Sequence, residues 1–369
     1  MNNDRIQEIL DLMEEARLDY FLISDPQSIA YCTGYYNDPH ERMFVFMISK
    51  HGNHTLFMND LFYLDHDLDV NIVWHKDGQD AIQTIVDEMH FPGRIGIDKN
   101  WASHFLLDLM KKLPDAKYIN ASPCVDLVRM KKDLQEQVLM IESSKINDAV
   151  MEEIIPFIQE GVTEKQLAKK LDELFFNHHS TCYGAIVAFG KNAADPHHEN
   201  DDTLLRKGDC VLIDMGCVYK GYCSDMTRTF FYEGILEEEI KVYEIVKKAN
   251  EAAEAMIKPG VKLSDIDKCA RKVISDEGYG KYFTHRLGHF IGRDVHEYGD
   301  VSSVNEMEVE EGMIFSIEPG IYLEGNFGVR VEDGDKRWMS GFKFIYKRYL
   351  YYLKTSLCSF FLYKKEKNE

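Results

Sequence analysis

Residues 210–231 read CVLIDMGCVYKGYCSDMTRTFF. CVLI is an apolar strand ending on Asp214, and a second strand-like stretch returns eleven residues later with Asp225 in its middle. An ionised carboxylate in a strand core is costly unless it is paired or bound to metal. Two on neighbouring strands repel each other, so a cation between them is the economical reading. For either aspartate alone the alternative is an edge strand facing solvent.

The anomaly recurs downstream. MIFSIEPGIY (313–322) places Glu318 at the end of an apolar strand before a Pro-Gly turn. FGVRVED (327–333) alternates so that Arg330 and Glu332 share a face. Four carboxylates suit hard divalent cations, and a histidine shifts the preference toward Mn²⁺, Co²⁺, Fe²⁺ or Zn²⁺. HRLGHFIGRDVHE (285–297) offers His285, His289 and His296, with Gly288 and Gly292 arguing against one continuous helix. His197 and His198 follow a proline in the polar loop KNAADPHHEN (191–200), which on its own reads as plain surface ahead of a functional loop.

Around this core an internal repeat shows. IIPFIQEGVTEKQLAKKLDEL (154–174) and EAMIKPGVKLSDIDKCARKVI (254–274) align with Gly161 on Gly260, Leu167 on Ile266 and Leu174 on Val273. Each copy ends one helix at glycine and starts another behind an N-cap candidate, Thr163 with Gln166 as a capping box and Ser264 in the second copy. Strand-like text follows each, which predicts a duplicated helix-helix-strands unit about a pseudo-twofold axis, with the strands in one curved sheet. Residues 1–125 instead alternate helical patterns with short apolar strands (20–23, 44–48, 54–57), as in an α/β domain. The domain boundary is placed near residue 126, ahead of the charged helical stretch RMKKDLQEQVLMIESSK.

A chain of 369 residues, 45% hydrophobic, supports two packed cores. The net charge of −20 repels phosphate backbones and sets nucleic acid aside. No apolar run of about 18 residues suggests a membrane span. The N-terminal text lacks the cationic start and apolar core of an export signal, and eight cysteines without a CxxC pair read as reduced thiols. A cytoplasmic setting is expected.

The order Asp214, Asp225, Gly-His289, Glu318-Pro-Gly and Arg330-x-Glu332 resembles that of the pita-bread metallopeptidases: methionine aminopeptidase, aminopeptidase P, prolidase and the related creatinase. IDMGCVYKGYCSDMTRTF, GYGKYFTHRLGH, IEPGIY and FGKNAADPHH look like the bacterial Xaa-Pro branch, and SIAYCTGY (28–35) resembles the YxTG signature of the creatinase-type N-terminal domain. The resemblance implies an α+β protein: a creatinase-like α/β domain (1–125), then a pita-bread catalytic domain (126–335) with a curved antiparallel sheet.

It further implies that Asp214, Asp225, His289, Glu318 and Glu332 bind two divalent ions, with manganese preferred and cobalt, zinc or iron as alternatives. Glu318 would act as general acid-base, and His197 and His296 as hydrogen-bond donors to the reacting carbonyl. His285 would line the proline subsite, and Arg330, counted with it among the substrate-binding residues, would orient Glu332. The implied substrates are small peptides with proline second, Xaa-Pro dipeptides ahead of the longer peptides of aminopeptidase P, with a metal-free creatinase-like protein as a remote alternative. A homodimer is implied as well. A dipeptidase needs a cation for the free carboxylate, for which Arg293 or a residue of a partner subunit is the candidate.

Two departures stand out. Phe290 follows the metal histidine where the family has glycine, and is expected to narrow the site or to alter its S1 side. From 336 to 369 the chain turns basic and aromatic, with nine Lys/Arg against two Asp/Glu and ten aromatics. That tail reads as a shifted reading frame or sequence error, against the alternative of a basic helix for membrane or partner contact.

Overall fold

A computed structural model describes residues 1–90 and 92–332. The tail 336–369 and its reading-frame question lie outside the described residues. The chain divides into two compact units, Met1–Arg129 and the residues from Met130 onward.

The first unit runs α1 (Asn3–Glu15), β1 (Tyr20–Ile23), α2 (Pro26–Thr33), β2 (Val45–Ser49), β3 (Thr55–Asn59), β4 (Asn71–His75), α3 (Ala81–Glu88), β5 (Arg94–Ile97), α4 (Ser103–Lys112), β6 (Lys117–Asn120) and α5 (Ser122–Met130). Its six-stranded sheet has the order β4-β3-β2-β1-β5-β6. The contacts β1–β2 and β2–β3 are antiparallel, whereas β3–β4, β1–β5 and β5–β6 are parallel. β1 is apolar throughout because both its faces are covered. Phe21 and Ile23 join Ile6, Ile9 and Met13 of α1 on one face, while Tyr20 and Leu22 join Ile82 and Ile85 of α3 on the other.

The second unit carries α6 (Leu134–Ile154), α7 (Glu164–Asn177), β7 (Thr181–Cys182), β8 (Ile186–Phe189), β9 (Cys210–Met215), β10 (Cys217–Tyr219), β11 (Tyr222–Cys223), β12 (Met226–Phe231), α8 (Glu237–Glu254), α9 (Leu263–Asp276), β13 (Gly288–Phe290), β14 (Glu297–Val301), β15 (Gly320–Leu323) and β16 (Phe327–Arg330). The duplication is visible in matched hydrogen bonds. Gly161 N donates to Leu205 O (2.9 Å) and Leu205 N to Val162 O (2.9 Å). In the second copy Gly260 N donates to Val309 O (2.9 Å) and Val309 N to Val261 O (2.8 Å). Both glycines are left-handed, at φ 84° and 83°, a conformation that costs glycine nothing.

Local capping matches in only one copy. Thr163 and Gln166 form the expected capping box of α7. Ser264 does not cap α9, which starts at Leu263 behind Lys262. The bridge from Lys262 to Glu308 fixes the helix start two residues earlier, and the Ser264 hydroxyl donates to Glu306 Oε1 (3.1 Å).

The strands form several antiparallel ladders rather than one unbroken sheet: β12-β9-β8, β11-β10-β7, β13-β14 and β15-β16. Single bonds link them, such as Glu332 N to Thr227 O (3.2 Å) and Ser316 N to His289 O (2.8 Å). The text around Glu318 is an extended segment beside β13 and not a strand of its own. Its amide donates to Leu287 O (2.8 Å).

Candidate metal centre

β9 and β12 pair with Asp214 directly across from Thr227, and β8 places Ile186 across from Asp214 on its other side. The ten residues between the two aspartates make a hairpin of their own. β10 and β11 close through Lys220-Gly221, both at positive φ (49° and 81°), as a two-residue turn matched to strand twist requires. Asp225 therefore lies just before β12 and not mid-strand, and it is 7% exposed. The chain pinches in behind it: a Cβ at Gly216 would lie 2.1 Å from Ser224 O.

His289 of β13 turns toward these carboxylates. Its Nδ1 lies 3.2 Å from Phe290 O, so that nitrogen carries the proton and Nε2 is left facing Asp225 Oδ2 and Glu318 Oε1, each at 3.4 Å. Ser316 Oγ accepts from His289 N (3.0 Å) and donates to Glu318 Oε1 (3.1 Å), tying the two together. Glu332 is 1% exposed; its Oε2 accepts from the Thr227 hydroxyl (3.0 Å), while Oε1 is buried with no hydrogen-bond partner. Donor atoms of Asp225, His289 and Glu332 all lie within 4.8 Å of one another.

The electrostatics describe a cluster with too much negative charge. Burial, with Asp225 and Glu318 adding to it against the counter-pull of Arg330, pushes the Asp214 carboxyl up to about 7. Burial and the same neighbours drive Glu332 well above the usual carboxylate range. Burial disfavours the charged form of His289, but Asp225 and Glu318 outweigh it and raise the imidazole. A buried oxygen with no donor, beside further carboxylates and an imidazole nitrogen aimed the same way, is a ligand set for divalent cations. These residues fit the metals that the sequence resemblance implies.

Arg330, expected among the substrate-binding residues and as the group orienting Glu332, has a different partner. At 2% exposure it stands behind the centre, with Nη2 2.5 Å from Asp214 Oδ2. It reaches Glu332 only through Thr227, whose hydroxyl accepts from Arg330 Nε (3.0 Å) while donating to Glu332. Arg330 Nη1 donates to the Tyr322 hydroxyl (2.9 Å), which lies 2.9 Å from His285 Nε2. His285 Nδ1 is 2.7 Å from Arg286 O and so holds its own proton, leaving Nε2 to accept from Tyr322. Burial keeps His285 below the usual imidazole value and pushes the Tyr322 phenol up to about 12.

His296 packs its ring edge-on against His289, 4.2 Å between centroids. Desolvation and the charge of His289 hold its pKa down. Of the histidine pair, His198 is clamped, its Nε2 2.6 Å from Glu164 Oε2, and Glu164 also takes the amides of Phe189 and Asp201. His197 is exposed on the loop this clamp holds, beside a cavity of about 620 Å³ that Ile186 and Asn200 also line. Pro196 O of the same loop lies 3.5 Å from Arg330 Nη1. Gly328 lets β16 close onto the loop, since a Cβ there would meet Ala193 O at 1.9 Å.

Phe290 does not line the site. Its ring is fully buried against Phe315 (5.4 Å between centroids), in space that Gly299 leaves open at φ +101°. A register shift between His289 and Phe290 separates the histidine that faces the carboxylates from the core residue.

Comparison with known proteins places this geometry. Residues 138–334 match the model of metallopeptidase family M24, and residues 5–131 that of the creatinase/prolidase N-terminal domain. A dipeptidase from Pyrococcus horikoshii has a similar structure, with a TM-score of 0.83 and 36% identity over 89% of this chain and 94% of that one. A prolidase from Thermococcus sibiricus gives 0.84 at 33% identity, over 90% and 93%. An uncharacterised peptidase of Staphylococcus aureus is 34% identical over 338 residues, 89% of this chain and 95% of its own length.

Proposed function

The chain belongs to metallopeptidase family M24, and we propose that it is a prolidase, hydrolysing the Xaa-Pro bond of dipeptides with divalent metal ions as cofactor. The observation that carries the reading is the buried cluster of Asp225, His289 and Glu332 with its unpartnered carboxylate oxygen. In this reading Asp214, Asp225, His289, Glu318 and Glu332 hold two ions, with manganese the first choice and cobalt, zinc or iron behind it. Such ions, when bound, polarise the scissile carbonyl and make water nucleophilic near neutral pH.

The chain's own groups do the rest. Glu318, its Oε1 tied to Ser316, takes the proton of the attacking water and delivers it to the prolyl nitrogen. His197 and His296 donate to the carbonyl oxygen as charge develops on it. His285, held neutral with its proton on Nδ1, packs with Tyr322 as the wall of the proline subsite. A dedicated pocket is needed because the Xaa-Pro bond has no amide hydrogen and the proline φ is fixed. Arg330 keeps Asp214 in place.

A cytoplasmic homodimer completes the proposal; seven free cysteines among the described residues are consistent with a reducing compartment. Among the described residues, no helix is long and apolar enough to cross a membrane. The test is steady-state hydrolysis of Ala-Pro and Ala-Pro-Ala with Mn²⁺ and with chelator. Cleavage of Ala-Pro that Mn²⁺ restores supports the reading. A strong tripeptide preference moves the chain to aminopeptidase P, and the absence of metal-dependent cleavage moves it to a creatinase-like protein.

A further inference from the structure

We infer that Asn147 and Asn250 are a matched pair of positioning residues, one in each half of the duplication, that hold the backbone beside Asp214, Glu318 and Glu332 where the metal ions need it; this rests on the ligand assignment proposed above. Asparagine is a poor helix former, and its amide is costly to bury without partners. Yet α6 and α8 each bury one at the same place. Glu136 and Glu239 fix the register, since each is the third residue of its helix and reaches back to the residue before the helix: Glu136 Oε2 accepts from Asp133 N (2.9 Å) and Glu239 Oε2 from Leu236 N (2.7 Å). Asn147 and Asn250 each stand eleven residues further along, 0% and 1% exposed.

Each amide donates to backbone next to a proposed ligand. Asn147 Nδ2 donates to the carbonyl of Met215 (3.2 Å), the residue that follows Asp214 and ends β9. One turn earlier in α6 the buried Ser143 hydroxyl donates to Cys217 O (3.3 Å), so the helix grips the chain on both sides of Gly216. Asn250 Nδ2 donates to Ile317 O (2.9 Å) and reaches Val331 O (3.4 Å). Those carbonyls belong to the peptide groups that join Ile317 to Glu318 and Val331 to Glu332.

Glu318 and Glu332 need such a hold because both lie beyond regular strand pairing. The β15–β16 ladder ends at the pair Gly320–Arg330, short of both carboxylates. The amides of Ser316 and Glu318 bond to His289 O and Leu287 O (2.8 Å each), which leaves the carbonyl between them, that of Ile317, to face α8. Two ionised carboxylates in buried surroundings repel each other and spread unless their backbone is held. An asparagine amide has two hydrogens to donate, so one side chain of α8 sets the separation of the two peptide groups that carry Glu318 and Glu332. Asn147 makes the corresponding contact beside Asp214 from the other half. A metal site is sensitive to this kind of support, because its affinity depends on ligands already standing at the coordinating distance.

The experiment is isothermal titration of the full-length, chelator-stripped protein with Mn²⁺, at a temperature below every variant's melting transition, where a loss of global stability leaves the Kd alone. Asn250→Ala and Asn147→Ala are compared with wild type and with Val246→Ala, which truncates a fully buried apolar residue of α8 one turn before Asn250. Asn250→Ala should weaken Mn²⁺ binding roughly 10- to 100-fold, the range for groups that support metal ligands. Asn147→Ala should weaken it less, since it frees the backbone beside one ligand and not two. Val246→Ala should melt lower yet bind within about twofold of wild type. Asn250→Thr, which keeps one hydroxyl donor, should fall between wild type and Asn250→Ala, and it carries the test with the same outcomes if the alanine variant does not fold. Asparagine variants that bind Mn²⁺ like the wild type, or a Val246→Ala that loses as much affinity as Asn250→Ala, overturn the inference and leave the metallopeptidase reading standing. A wild type that binds no Mn²⁺ sinks both.

Discussion

Arg330 and Asp214 form the ion pair at the back of the centre, Nη2 to Oδ2 at 2.5 Å, with the guanidinium buried to 2% exposure. Removing one member of a buried pair leaves the other charge uncompensated and costs about 3–5 kcal/mol. Arg330→Ala is therefore expected to lose that much stability in urea titration. Arg330→Lys keeps the charge but cannot reach Asp214, Thr227 and Tyr322 together, so it should fold and lose activity. Near-wild-type kinetics for the lysine variant would show that the three-way contact is dispensable.

Glu332 tests the metal assignment in the opposite direction. Its carboxylate is costly without a cation, since burial and the neighbouring acids oppose its ionisation. Glu332→Gln should raise the melting temperature of the chelator-treated protein and shrink the further rise that Mn²⁺ produces in the wild type. A variant that melts lower than wild type in chelator, yet keeps the full Mn²⁺ response, would remove Glu332 from the ligand set.

Asp214 gives a pH dependence with a definite sign. Its folded pKa, about 7, lies above the unfolded value of 3.8, so the folded state binds the proton more tightly. The stability this contributes is full below 3.8 and is lost as pH rises through 7. In chelator, the stability difference between wild type and Asp214→Asn should turn against the wild type from pH 5 to pH 8. Metal affinity should run the other way, weakening below pH 7 as protons compete for the ligands. Isothermal titration with Mn²⁺ at pH 5.5 and pH 8 reads this, and a pH-independent affinity would contradict it.

The readable part of the centre was the part that broke a pattern. Asp214, Asp225, Glu318 and Glu332 are conspicuous because carboxylates have no place in apolar strand text, whereas His289 is singled out from His285 and His296 only by the resemblance to the family. Thr227, Tyr322 and Ser316 make equally specific bonds, but hydroxyl residues fit ordinary strands and nothing in their spacing marks them. The partner of Arg330 was misread for a related reason. Alternation puts Arg330 and Glu332 on one face, yet the guanidinium crosses to β9, a contact that depends on ladder register and not on local spacing. Ser264 looked like a cap by residue type, but the pairing of Lys262 with Glu308 had already set the helix start. The helix pairs were legible because Gly161 and Gly260 stand at equivalent left-handed positions.

Phe290 was misplaced from sequence alone, and its position makes a separable prediction. Fully buried against Phe315, it should cost about 3–5 kcal/mol when cut to alanine, with KM for Ala-Pro changed little. Gly299→Ala should fail for the complementary reason, because its Cβ would lie 2.7 Å from the Phe290 ring at a φ of +101°. A large KM change in Phe290→Ala without loss of stability would return Phe290 to the site wall.

Lys132 and Glu297 form the ion pair behind His296, with Nζ and Oε2 2.8 Å apart and side chains 1% and 5% exposed. Glu297 Oε1 also accepts from Arg293 N (2.9 Å), so the pair holds the turn from Arg293 to Glu297 that presents His296. Lys132→Met should cost about 3–5 kcal/mol by leaving a buried carboxylate without its charge partner. Adding Glu297→Gln removes the stranded charge and should return part of that loss, a coupling that urea titration of the single and double variants measures. If the ion pair matters only for folding, the double variant should regain activity in step with stability. If it also sets the place of His296, stability should return while kcat for Ala-Pro stays depressed. Strictly additive losses in the double variant would show that the two side chains do not act as a pair at all.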